Sequence, residues 1–187
     1  LTPLYDQYQY DSAAHLDKVD ELMTAKGYTK DAEGFWVGSD GKRFEMVIAV
    51  PGWLRSYGPP LAQQLRDAGF DASFDLSPGL DELFQTGEQA VSFNCKGPSG
   101  VLGMDPYFML AIYTAQYYRP TGEPAPIWWA VSRWQNEAYD EIVDQIAPLQ
   151  ADDPQTMELF VKVMEIWLSE MPDVYVSQLI IRYPMNT

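Results

Sequence analysis

The sequence holds one cysteine, Cys95, and one histidine, His15, in 187 residues. A single thiol excludes an internal disulfide and any multi-cysteine metal site. A single imidazole excludes a histidine-rich zinc or iron site, and a serine-hydrolase triad as well unless His15 serves it. Basic charge is scarce: 12 Lys and Arg against 27 Asp and Glu leave a formal net charge of −15. Such a balance repels phosphate backbones, and no basic stripe collects on any segment, so nucleic acid is not an expected partner. Long apolar runs are also missing, and no segment is predicted to span a membrane. No cofactor or metal is implied.

What is present is an apolar fraction of 47%, including 14% aromatic residues. That is enough for a chain of this length to bury a core, as one domain or at most two small ones. The chain starts at Leu1 rather than Met, with no signal peptide ahead of it, and Ile180–Pro184 reads as a strand that stops for lack of chain. The expectation is an excised fragment or a processed product.

Asp11 is placed to cap a helix to about Lys26, with Leu16, Val19, Leu22 and Met23 on one face and Gly27 at its end. Residues 35–37 and 44–50 flank the turn sequence Gly38-Ser39-Asp40-Gly41 and predict a hairpin. Its second arm, apolar from Met46 to Val50, suits a strand buried on both faces. A helix is predicted over 57–68, a strand over 70–76, a short helix over 80–84 and a strand over 89–94. Strand–helix–strand–helix–strand order with short connections points to an α/β sheet, at least partly parallel.

Beyond Asn94 the chain reads as a Gly/Pro/Ser loop and then a helix opened by Asp105-Pro106, to about Tyr117. A loop with three prolines covers 118–126. Two helices follow. Asn136 caps the first, whose buried stripe is Tyr139, Ile142, Val143 and Ile146; Asp153-Pro154 opens the second, with the expected stripe Met157, Phe160, Met164, Trp167, Leu168 and Met171. A final strand is predicted over 174–181.

Four pieces in this order carry a family resemblance: Ala25-Lys26-Gly27-Tyr28, residues 34–44 (GFWVGSDGKRF), residues 63–72 (QQLRDAGFDA) and residues 133–140 (RWQNEAYD). The chain resembles the larger, membrane-distal lobe of family 5 extracellular solute-binding proteins, the oligopeptide- and dipeptide-binding type. Residues 105–107, 119–123 and 183–187 look like a subgroup related to oligosaccharide binders. The resemblance implies a periplasmic-binding-protein-like (type II) α/β lobe, with a mixed, partly parallel sheet flanked by helices, in which residues 1–187 form a single lobe. It implies a small solute, peptide or oligosaccharide, held between this lobe and a missing second lobe of the same protein. It also implies delivery to an ABC permease in the membrane, and a periplasmic or extracytoplasmic location.

Ligands of open α/β sheets collect beyond the carboxyl ends of the strands. Two loops are expected there: Pro51-Gly52-Trp53 and the segment from Asn94 to Asp105. Trp53 offers a ring for a sugar face or an apolar side chain, or else a cover for the sheet edge. Dipeptide and oligopeptide binders of the family usually carry a Trp and, three residues on, an Asp that pairs with the peptide's amino group. The matching place here holds Phe93-Asn94-Cys95-Lys96, with neither, which puts capture of a peptide by that ion pair in doubt. Asn94 and Lys96 remain candidate polar contacts, and Asp105 is either a substitute carboxylate or a helix cap. Trp128 or Trp129 is a candidate stacking wall, and Arg133 a holder of a carboxylate or of a loop carbonyl.

Aromatic walls with few polar anchors and no catalytic constellation favour a binding module over an enzyme. A carbohydrate-acting hydrolase with two carboxylates, or a protein-interaction domain using the tryptophans, are the readings from other classes.

Overall fold

A computed structural model describes residues 2–8, 14–77, 79–89, 91–93, 106–127 and 130–174. Its first elements are helices α1 (Thr2–Gln7) and α2 (Leu16–Ala25), then the short strands β1 (Thr29–Lys30) and β2 (Trp36–Val37), which pair antiparallel. The central strand β3 (Glu45–Ala49) leads through a 3-10 helix (Gly52–Tyr57) into α3 (Gly58–Asp67) and β4 (Asp71–Asp75). Helix α4 (Leu80–Thr86) returns to β5 (Val91–Ser92). The rest is helical: α5 (Pro106–Ala111), α6 (Glu137–Ile146) and α7 (Pro154–Glu170).

The expected hairpin survives as a stub. Gly38 N–H donates to Lys42 O (2.9 Å), and Val37 and Arg43 form one isolated antiparallel bridge. After that β3 departs and pairs in parallel with both β4 and β5, in the order β4-β3-β5. The stub docks on the end of α3, where Trp36, 2% exposed, donates its indole N–H to Ala68 O (2.8 Å) and its amide to Gly69 O (2.7 Å). Gly69 has φ +91°, and a Cβ there would stand 2.8 Å from the Trp36 indole nitrogen. Conformation and space both require glycine at this position.

Burial of β3 rises toward its carboxyl end. Ile48 and Val50 pack with Leu54 and Ala62 under α3, and on the opposite face Ala49 is buried while Val47 is 44% exposed. The apolar run from Met46 to Val50 is therefore buried on both faces only from Ile48 onward.

A second, larger cluster joins α5, α6 and α7 through Leu110, Tyr139, Val143, Leu159, Val163 and Trp167, with Leu4, Tyr5 and Tyr8 of and beside α1 packed against it. The α6 stripe is as its spacing predicts, with Tyr139, Val143 and Ile146 buried. The α7 stripe holds toward the carboxyl end, where Trp167 and Leu168 are buried and Phe160, Met164 and Met171 pack against the cluster, but differs at its start: Thr156, Leu159 and Val163 are buried and Met157 is 63% exposed. The helix has fewer large apolar residues on its inward first turn than on its outward one, so counting methionines shifts the reading. On α2, Leu16 and Leu22 lie largely exposed and only Met23 is buried. Asp11 and the predicted strand over 174–181, past Val174, lie outside the described residues.

Caps secure the last two helices. Asn136 Oδ1 accepts from Tyr139 N–H (3.0 Å), and Asp153 Oδ1 accepts from Gln155 N–H (2.8 Å). Asn136 does more, since its Nδ2 donates to Glu170 Oε1 (2.7 Å) while the Trp134 indole N–H donates to the other Glu170 oxygen. The start of α6 is thereby tied to the end of α7. Asn136→Ala is expected to cost about 2 kcal/mol and Asp153→Ala about 1 kcal/mol in denaturant unfolding, because only the first loses an inter-helix bond as well as a cap.

Asp140 on α6 accepts from Ala115 N–H (3.2 Å). Its pKa is raised, first by burial and then by the like charges of Asp144 and Glu137. A raised carboxyl destabilises the fold while ionised, above its folded pKa, and that penalty fades as pH falls through it. Asp140→Asn keeps an acceptor for Ala115. Its melting temperature should match or exceed that of the unchanged chain at pH 7, with the gap closing on acidification.

Candidate functional site

Parallel strands joined by crossovers present all their carboxyl ends at one edge. Here that edge is built from Asp75–Ser77 after β4, Val50–Trp53 after β3 and Phe93 after β5. The pairing runs one residue past the strands, with Val50 N–H on Asp75 O (2.9 Å) and Phe93 N–H on Ala49 O (2.8 Å). The three chain ends are thus held side by side.

The 3-10 helix decides what faces outward. Its side chains eclipse every three residues, so Leu54 and Tyr57 share the inward face. Leu54 is buried, and the Tyr57 ring lies 5.0 Å from the Phe93 ring at a 34° tilt. Trp53 falls off that face and is 63% exposed. A tryptophan left in water just past the central strand is an apolar platform, and the Tyr57–Phe93 pair ties the segment that carries it to the end of β5.

Asp75 stands on the same edge. Its Oδ1 accepts from both the backbone N–H (2.8 Å) and the hydroxyl (2.6 Å) of Ser77. These bonds, the hydroxyl's first, hold the carboxyl below the usual aspartate range, so it is an anion at neutral pH. Sequence reasoning missed Asp75 and Ser77 as edge residues, although it set Phe93 in the place that matches the family's Trp. The signal for the two was the Asp-x-Ser spacing of a side-chain-capped turn.

Of the residues the sequence offered as contacts, Trp53 lies at this edge. Arg133 does not. It sits in the extended stretch before α6, and its guanidinium is enclosed by carbonyls: Nη1 donates to Arg119 O (2.7 Å), Nη2 to Gln85 O (2.6 Å) and Glu123 O (3.0 Å). Gln85 belongs to the last turn of α4, which runs back along the sheet toward the amino end of β5. None of the bonds of Arg133 goes to Trp53 or to Asp75. Asn94, Lys96, Asp105, Trp128 and Trp129 lie outside the described residues, as does Cys95. Among the described residues no three His, Cys, Asp or Glu side chains form a group able to hold a metal ion, and no helix is long and apolar enough to cross a membrane.

No protein-family model and no curated protein matches the chain. Solved structures do. A mannohexaose-bound periplasmic oligopeptide-binding protein of an ABC transporter from Thermotoga maritima aligns with a TM-score of 0.73 at 17% identity, over 91% of this chain and 32% of its own. NikZ from Campylobacter jejuni, in complex with Ni(L-His), aligns with a TM-score of 0.67 at 15% identity, over 84% and 30%. The oligopeptide-binding protein AppA from Bacillus subtilis, in complex with a nonapeptide, aligns at 0.58 and 12% identity, over 83% and 30%. The fold is that of the periplasmic binding proteins. More narrowly, the chain matches just under a third of the length of these three and has the fold of that portion.

Ser77→Ala removes the shorter of the two bonds to Asp75. The Asp75 carboxyl should then titrate closer to the ordinary aspartate range, as followed by carbon-detected NMR. The stability that Asp75 contributes is present above its unfolded pKa and lost as pH falls through the depressed folded value. The variant should therefore lose less stability than the unchanged chain between neutral and acidic pH.

Proposed function

We propose that residues 1–187 form one lobe of an extracytoplasmic solute-binding protein that captures a small solute and hands it to an ABC permease. Short peptides are the first solute class, and the chain contributes binding surface rather than catalysis. One observation carries the reading: in a periplasmic-binding-protein fold, the central parallel strand leads into a 3-10 helix whose Trp53 is exposed at the edge where such sheets receive ligands. A solute bound between this edge and a second lobe favours the closed state only through contacts with both lobes, so this lobe alone should bind weakly.

Oligosaccharides are the second class. The exposed indole suits stacking on a sugar face, and one of the similar structures holds mannohexaose.

Calorimetric titration of the intact protein with panels of short peptides and of linear oligosaccharides separates the two. Binding is expected from one panel, and Trp53→Ala should weaken it by about 5–30-fold, equivalent to about 1–2 kcal/mol. The melting temperature should move little, because the side chain is mostly in water. Silence from both panels, or cleavage of a panel member, would overturn the proposal.

A further inference from the structure

The two hydrophobic clusters share no residue. One is built only from residues 48–93 under α3, the other from α1 and residues 107–171. α1 packs on α7, so the sheet portion, residues 14–93, is inserted between two pieces of the helical portion. Among the described residues, every hydrogen bond between the two portions ends on one spot: the C-terminal carbonyls of α4. Gln85 O accepts from Ala125 N–H (2.9 Å) and from Arg133 Nη2 (2.6 Å), and Thr86 O accepts from Gly122 N–H (2.9 Å).

The last carbonyls of a helix have no partner inside it. In α4 the sheet portion leaves two of them for the helical portion to satisfy. Arg133 is well placed for this. Its backbone is anchored on both sides in the helical cluster, by Ala130, 1% exposed, and by Trp134, whose ring meets Tyr139 edge-on at 4.9 Å. From there one planar guanidinium reaches the proline-rich loop, through Arg119 O and Glu123 O, and α4 at the same time. Its Nε is buried with no hydrogen-bond partner. The reason is close approach: at Gly87, just past α4, a Cβ would stand 2.4 Å from that Nε. Gly87 has φ +70°, so glycine both ends the helix and makes room for the arginine.

We propose that Arg133 is a latch that couples the two portions of this lobe, acting by position rather than by touching solute. Apolar packing stabilises each portion separately, and the guanidinium with its three carbonyls makes them open and close together. A lysine cannot reproduce this, since a single ammonium lacks the rigid fork that spans separate acceptors.

Hydrogen exchange read by mass spectrometry on the intact chain tests it, comparing Arg133→Gln, Arg133→Lys and Gly87→Ala with the unchanged protein. Gly87→Ala attacks the same joint from the other side. If the latch couples the portions, the protection of peptides over β3 and α3 and of those over α7 should diverge by at least about tenfold in Arg133→Gln and Gly87→Ala. Arg133→Lys should be intermediate, and it gives the reading if the glutamine variant does not fold. An equal loss over both portions would show that they are coupled by something other than Arg133. A loss confined to 80–93 and 118–126 would reduce Arg133 to a cap for α4, and no change would remove it altogether. Each of these three results overturns the proposal.

Discussion

A parallel ladder cannot be closed by a tight turn. Once β3 leaves its antiparallel stub at Val37–Arg43 and pairs with β4 and β5 in the same direction, each connection has to travel the length of the sheet and return. α3 and α4 exist to make those journeys. Their return paths bring the ends of β3, β4 and β5 to one edge, near Trp53, Asp75 and Phe93, and turn α4 back from that edge to the point where Arg133 meets its last turn.

The stub is more than a remnant. Arg43 binds Asp31 (2.7 Å) and Glu33 (2.7 Å) and lies 3.8 Å from Asp71 at the start of β4, with its guanidinium over the Phe35 ring at 4.3 Å. Trp36 meanwhile donates to the end of α3. The amino ends of β3 and β4 are therefore braced by a half-exposed ionic network, whose individual pairs contribute modestly, together with one buried indole, which contributes more. Among the described residues, the carboxyl edge is braced by the Tyr57–Phe93 pair and the Ser77 bonds to Asp75. The edge proposed to receive solute is thus the one without an ionic network among the described residues.

Much of this was legible in the sequence where a local rule has a local consequence. Asn136 and Asp153-Pro154 start helices because a side-chain acceptor or a missing N–H acts within one turn. The parallel sheet followed from the order of elements, and Trp53 from its place after an apolar strand. The failures have a common form. The hairpin arms 35–37 and 44–50 were compatible with pairing, but β3 gains more partners in the three-stranded sheet than one bridge to β2 offers. The α7 stripe failed at its first turn because Met157 is apolar by type yet faces water, while Thr156 is buried with its hydroxyl on Gln150 O at 2.8 Å. Hydrophobicity by residue type could not see that a threonine with a satisfied hydroxyl fits inside.

Arg133 was legible in part. The sequence left it between a carboxylate and a loop carbonyl, and its bonds go to carbonyls: those of Arg119 and Glu123 in the proline-rich loop and that of Gln85 in α4. Which carbonyls these are, no composition reveals. The choice has a physical basis. A carboxylate at the joint would itself need desolvating, and the pair could lose as much as it gained. The terminal carbonyls of α4 are already fixed, already short of partners and at the negative end of the helix dipole, so a cation there satisfies groups that would otherwise be unpaired. The acidic excess can then remain in solvent, and the bonds of Arg133 across the joint do not depend on it.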